Sequence, residues 1–303
     1  MRIPRCRGAL TRIIPLALSI SLALLAPTGG GLAEAPDLPD GPIFPTPPVS
    51  IPARQPGALS GTEFGNLTKG MAGRERQRLA VNELLAGNVP EYLRSLRPVH
   101  LTARSMDGAS VLTATVWVMP DYLAIGSDRD FLRIPLTRPS IALVSKAFDL
   151  TLPTKKIVDA VFEQADYRYS PQPLPPGPKM RSSAYYLRHQ ELIEGQHESG
   201  DPNSLVVGCK KDIVLTGRLR QRSDRIAIYG WHRRSGDPIQ PLSLIHGARY
   251  ADYSHGVRLM SPNVEIGGSV RSIYEVLADP LLAPILSDEG PIPQARQLVS
   301  SSG

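Results

Sequence analysis

Cysteine is scarce in this 303-residue chain: it holds Cys6 and Cys209 alone, too few for a disulfide-stapled miniature. Long apolar stretches are scarce as well. The run from Ile13 to Ala26 covers 14 residues, short of the roughly 20 that cross a hydrocarbon core, so a polytopic membrane protein is excluded. No glycine-rich phosphate loop opens a helix, which leaves ATP and NAD without support. A repeat of fixed period is also missing.

What is present begins with a hydrophobic share of 42%, enough to bury one sizeable core or two small ones. The formal charge is +6, from 34 Lys and Arg against 28 Asp and Glu. Much of that excess sits in the first residues, where Arg2, Arg5, Arg7 and Arg12 precede the apolar run and Gly31-Leu32-Ala33 follows it. This is the three-part plan of an export signal, residues 1–33, with cleavage expected after Ala33. Removing it leaves 270 residues with 30 basic and 28 acidic side chains, a net of +2. A nucleic-acid partner is therefore not expected, because counterion release needs clustered positive charge. A periplasmic or extracellular location follows, with no stable transmembrane anchor after processing and with Cys209 lacking an internal partner.

Eight prolines fall between residues 36 and 56, so residues 34–61 read as a Pro-rich flexible linker. Two α+β subregions are expected beyond it, 62–170 and 182–290, joined by a Pro-rich connection over 171–181. Residues 291–303 read as a flexible tail. Whether the two subregions form one core or two is open at this stage.

Periodicity predicts helices over 72–87, 91–97, 137–150 and 182–196, and over 152–165 with Thr151 as its N-cap. Strands are expected at 98–105, 110–126, 131–136, 204–208, 212–219, 225–232 and within 250–268. A last helix covers Val270 to Leu277. The fold class is α+β, with a mixed or antiparallel sheet and peripheral helices. Met106-Asp107-Gly108 and Gly126 to Asp130 read as turns, the second lacking the spacing of a calcium-binding loop.

Reactive side chains crowd between Gly208 and His255. His246, Asp252 and His255 supply nitrogen and carboxylate donors suited to a divalent metal such as zinc with an open water position. Their spacing does not match the helical His-x-x-x-His of zinc hydrolases. Ser254 and Gly256 favour a turn that places Asp252, Ser254 and His255 on one rim. Cys209 offers a second chemistry, a thiolate nucleophile with a histidine base and its pKa lowered by Lys210 or Lys211. Trp231, His232 and Tyr253, with Lys211 and Arg258, are candidates for substrate binding by stacking and by pairing with carboxylates.

The stretches GCKKDIVLT, IAIYGWHR, GDPIQPLSLIHG and YADYSHGVRL, with GSDRDFLRIPLT and LPTKKIVDAVFEQA before them, resemble an uncharacterised family of exported bacterial proteins. The resemblance covers roughly residues 90 to 290. It implies one module and carries no activity.

Together these readings point to an exported hydrolase acting on a cell-envelope or extracellular polymer, peptidoglycan being the leading candidate. Its catalytic set is His255, Asp252, His246 and Cys209, using a metal-bound water or the thiol. The alternative is a non-catalytic glycan- or peptide-binding protein of the envelope that uses the same aromatic and basic cleft.

Overall fold

The computed structural model describes residues 45–104, 111–196, 201 and 203–300. The expected export signal, the first part of the linker and the 106–108 turn lie outside the described residues.

Ser60 starts the helical part of the chain. Its hydroxyl accepts from Glu63 N while the Glu63 carboxylate accepts from Ser60 N, a capping box that launches α1, Gly61–Leu67. Helix α2, Gly73–Leu85, buries Ala80, Val81 and Leu84 along one face. After a 3-10 turn at Glu91–Arg94 come β1, Arg97–Arg104, and β2, Val111–Val118, paired antiparallel from Arg97 opposite Val118 to Arg104 opposite Val111. The apolar stretch 110–126 is not one strand. Pro120 cannot donate to a ladder, and the chain leaves β2 at Val118 before resuming as β3, Ala124–Gly126, against β4, Phe131–Arg133.

Helix α3, Arg138–Phe148, is capped by Thr137, whose hydroxyl accepts from Ser140 N, and carries Pro139 in its first turn. Helix α4, Lys155–Glu163, is capped by Thr154 and not by Thr151. Thr151 instead bridges to Met260. The first-turn Lys155, unfavourable for the helix macrodipole, is compensated by Asp159 at 2.7 Å and Asp288 at 3.3 Å. A short strand β5, Tyr167–Arg168, precedes the proline segment, and α5, Ser183–Glu194, follows it under a Ser182 cap.

The remaining elements are β6, Val206–Val207; β7, Lys211–Ile213; β8, Ile228–His232; β9, Pro238–Ser243; β10, His255–Gly256; β11, Met260–Ile266; β12, Ser269–Ser272; α6, Ile273–Ala278; α7, Ala283–Leu286; and α8, Ala295–Ser300. One four-stranded sheet runs β1-β2-β11-β12, antiparallel throughout. A second runs β10-β7-β8-β9, with β10 parallel to β7. Strands β3 and β4 pair antiparallel, and β5 pairs with β6 in parallel. The fold is α+β with mixed sheets.

Three boundaries drawn from the sequence need correction. Strands β11 and β12 join β2, so the segments on either side of the prolines share a sheet. The residues from 45 onward fall in one compact unit. The second half of the expected linker is packed: Ile51 is buried, Arg94 donates to Pro52 O at 2.7 Å, and Arg54 donates to Asn88 Oδ1 at 2.9 Å. Prolines there remove donors but leave carbonyls, and Arg94 uses that of Pro52 while Arg54 also donates to Ala58 O at 2.7 Å. The expected tail buries Ile292, Ala295, Leu298 and Val299, and Arg138 holds Leu298 O at 2.8 Å. Among the described residues, no helix is long and apolar enough to cross a membrane.

Candidate metal centre

The parallel pairing of β10 with β7 sets His255 opposite Lys211 and Gly256 opposite Asp212. Lys211 N donates to Ser254 O at 2.7 Å, locking the preceding turn onto the strand. Gly256 is required by the approach: a Cβ there would lie 2.4 Å from Tyr122 Cδ1 and 2.6 Å from Lys210 Cβ. The turn itself is built by Asp252. One carboxylate oxygen, Oδ1, accepts from Ser254 N at 2.8 Å and from Ser254 Oγ at 2.7 Å, while His255 N donates to Asp252 O at 3.0 Å. The turn expected from Ser254 and Gly256 is formed, through an aspartate side chain acting as local acceptor.

This turn brings the three expected metal donors together. His246, Asp252 and His255 each offer one ligand atom, and those atoms lie within 4.8 Å of one another. The second oxygen of Asp252, Oδ2, is 4.0 Å from His255 Nε2 and accepts the Tyr250 hydroxyl at 2.9 Å. His255 is 0% exposed, yet neither ring nitrogen has a hydrogen-bond partner. His246 is half-buried and stacks on Tyr250, so it is the member of the cluster nearest solvent. A tetrahedral ion with bonds of about 2.1 Å holds its ligands about 3.4 Å apart, so a small inward movement of the side chains is all that ligation requires.

The protonation states suit ligation. Burial lowers His255 to about 4, against a partial opposing pull from Asp252. Burial lowers His246 as well. For Asp252, burial opposes ionisation, but His255 and donors from Ser254 and Tyr250 hold its carboxyl below the ordinary range. At neutral pH the set is two neutral imidazoles and one carboxylate, as metal binding demands. Lys211 stands close by, its ammonium 5.1 Å from the centre of the Trp231 ring and its pKa lowered by burial.

The other expected site residues are not brought to this cluster. Cys209 is fully buried beside Tyr122, Tyr169, Ile193 and Val206. Burial raises its thiol to about 12, the reverse of what a nucleophile needs. Arg258 is a structural clamp: its guanidinium donates to Met119 O at 2.7 Å and Val206 O at 2.5 Å and covers the Tyr122 ring at 4.6 Å. It is buried and has no free fork for a substrate. Tyr253 is buried, its hydroxyl accepting from Leu174 N at 2.7 Å and donating to Leu174 O at 3.2 Å, so it ties the proline segment to the turn. Trp231 is buried too, at the left-handed φ of 52°, just past the register shift between Ile228 and Gly230 of β8. These aromatics make no open stacking surface.

His232 serves a different hollow. Its Nε2 lies 3.1 Å from Asp159 Oδ1, its ring stacks on Phe162 at 4.6 Å, and Arg168 and Arg234 complete the lining. Asp159 also accepts the Tyr229 hydroxyl at 2.7 Å. Asp159 escaped notice because its window reads as an ordinary amphipathic helix. The orienting role of Tyr250 was missed as well, although its position two residues before Asp252 was the available signal.

No protein-family model, curated protein or solved structure matches this chain.

Proposed function

We propose that the protein is an exported metal-dependent hydrolase acting on a cell-envelope or extracellular polymer, with peptidoglycan as the first substrate to test. The observation that carries this is His255, sealed from solvent with both ring nitrogens unpaired, facing Asp252 and His246 at ligating range. An unsatisfied buried imidazole is costly, and a cation shared with its two neighbours would satisfy it.

A divalent ion held there would polarise a water for hydrolysis at neutral pH. The protein's own residues supply the rest. Tyr250 and Ser254 fix the Asp252 carboxylate through three hydrogen bonds. Half-buried His246 is the most solvent-accessible of the three donors, so a substrate would approach from its side. The Lys211 ammonium offers positive charge beside the site for an oxyanion. Support for export comes from the Arg-flanked apolar run and small residues up to Ala33. The thiol route is dropped on the burial of Cys209, and the binding-only alternative is weakened by the burial of Trp231 and Tyr253.

Calorimetric titration of the purified chain with zinc, followed by release of soluble fragments from peptidoglycan, tests the proposal. Zinc should bind at about one ion per chain. His246→Ala should abolish both zinc binding and cleavage. Retained polymer binding without cleavage in that variant would separate turnover from recognition. Zinc binding that His246→Ala leaves untouched would overturn the site.

A further inference from the structure

Five arginines, Arg74, Arg76, Arg78, Arg181 and Arg249, line a cavity of about 470 Å³ that no aspartate or glutamate lines among the described residues. Among the described residues, none of the five forms a salt bridge. Like charges gathered without counter-ions repel, and an anion relieves the repulsion. Arg76 is the most telling member. Only 5% exposed, it donates to Met71 O at 3.2 Å and to Arg181 O, covers the Tyr186 ring, and leaves Nε without any partner. A buried guanidinium ordinarily has a carboxylate, as Arg133 has Asp121 in this chain.

The backbone adds to the field. Helix α2 begins at the cavity with Ala72 as its N-cap, which gives its first N–H groups no side-chain acceptor. The remaining wall is mixed: Val81, Leu143, Tyr186 and Ala251 give it an apolar side, with Leu143 57% exposed, and Gln77, Asn82, Thr137 and Ser140 a neutral polar one. A fully hydrated small anion would leave that apolar side unused.

We propose that this cavity binds a small amphipathic carboxylate, its acid group among the arginines and its apolar body against Val81, Leu143, Tyr186 and Ala251. The planar guanidinium fork pairs with carboxylates through two parallel hydrogen bonds, and the volume is that of a small-ligand site. The cavity adjoins the metal centre: Arg249 and Ala251 belong to the loop that carries His246 and Asp252, and Arg181 lies 5.4 Å from the centre of the Tyr250 ring. Binding in the cavity does not depend on a metal at the triad.

Calorimetry on the full chain tests this with two carboxylates, dodecanoate and N-acetyl-alanyl-alanine, against dodecanol, N-acetyl-alanyl-alanine amide and inorganic phosphate. At least one carboxylate should bind saturably, at least about tenfold more tightly than its uncharged counterpart and than phosphate. Whether the acyl chain or the dipeptide binds identifies the apolar body. The exposed positions supply variants that fold: Arg181→Ala with Arg249→Ala should weaken binding about tenfold or more, and Leu143→Asp should weaken it as well. A metal chelator should leave the affinity unchanged. The proposal is overturned if neither carboxylate binds, if dodecanol, the amide or phosphate binds as tightly, if the arginine variants bind normally, or if chelation abolishes binding.

Discussion

Tyr250 lies flat on His246, ring centres 4.1 Å apart and planes 7° from parallel, while its hydroxyl donates to Asp252 Oδ2 at 2.9 Å. One side chain thus positions two of the three candidate metal donors. Tyr250→Phe keeps the stack and deletes the hydrogen bond. Zinc affinity should fall roughly 10- to 100-fold, as for other groups that orient a ligand, with a stability cost of only about 1 kcal/mol. Parallel zinc titrations and urea denaturation of the variant read the two effects separately.

Acid should destabilise the fold through its buried histidines, against a smaller opposing gain from Asp212, whose carboxyl burial raises to about 6. Burial and the neighbouring cations Lys210 and Arg133 press the His189 pKa far below its ordinary value of 6.5. Its Nδ1 faces Lys210 Nζ at 3.1 Å, and its ring tilts against Tyr253 and edges Trp231. Because the unfolded chain takes up the proton more readily, stability is full above the unfolded pKa and declines as pH falls through it. His255, lowered to about 4, adds to the same slope. Urea midpoints measured from about pH 7.5 to pH 5 should decrease steadily, and His189→Gln should flatten the decline. A midpoint independent of pH in this window would contradict the buried, neutral state of His189.

Asp121 and Arg133 form a buried pair at 2.6 Å, each 3% exposed or less at the side chain, with Arg133 Nη1 reaching on to Glu194 at 2.6 Å. Removing one partner strands the other charge. Asp121→Asn should cost about 3–5 kcal/mol, seen as a lower urea midpoint with the slope unchanged. A loss below 1 kcal/mol would mean that water reaches the guanidinium.

The Cys209 thiol should be inert. With burial raising it to about 12, iodoacetamide at neutral pH should not label the folded chain, while the urea-unfolded chain should label readily. Cys209→Ala should leave the proposed polymer cleavage unchanged from the wild-type chain. Loss of cleavage without loss of fold would restore the thiol mechanism.

The sequence carries the helices and the proximity of His246, Asp252 and His255 well, and carries the surroundings poorly. Amphipathic spacing announces α2, α3, α4 and α5, because each buries a stripe whose period is local. His246, Asp252 and His255 lie within ten residues, and one Asp-Ser-His turn joins two of them, so proximity in the chain served as proximity in space. Strands β9 and β12 escape notice because prolines or polar residues dominate them and their pairing partners decide their state. The second half of the linker and the tail read as flexible since no local pattern reveals that Arg94 and Arg138 reach back to their carbonyls. Cys209 and Arg258 illustrate the same limit from the opposite side. A reactive side chain near a candidate site in sequence can still point into the core, and burial is a property of the whole fold.

Strand β2 gains its second neighbour only from β11, which starts at Met260, nearly 150 residues later in the chain. The order of synthesis therefore matters. The β1-β2 hairpin can form early, but its open flank stays without hydrogen-bond partners until Met260–Ile266 has emerged. Such late closure is slow by its topology and leaves a long interval in which the growing chain presents an unpaired strand edge to chaperones and proteases.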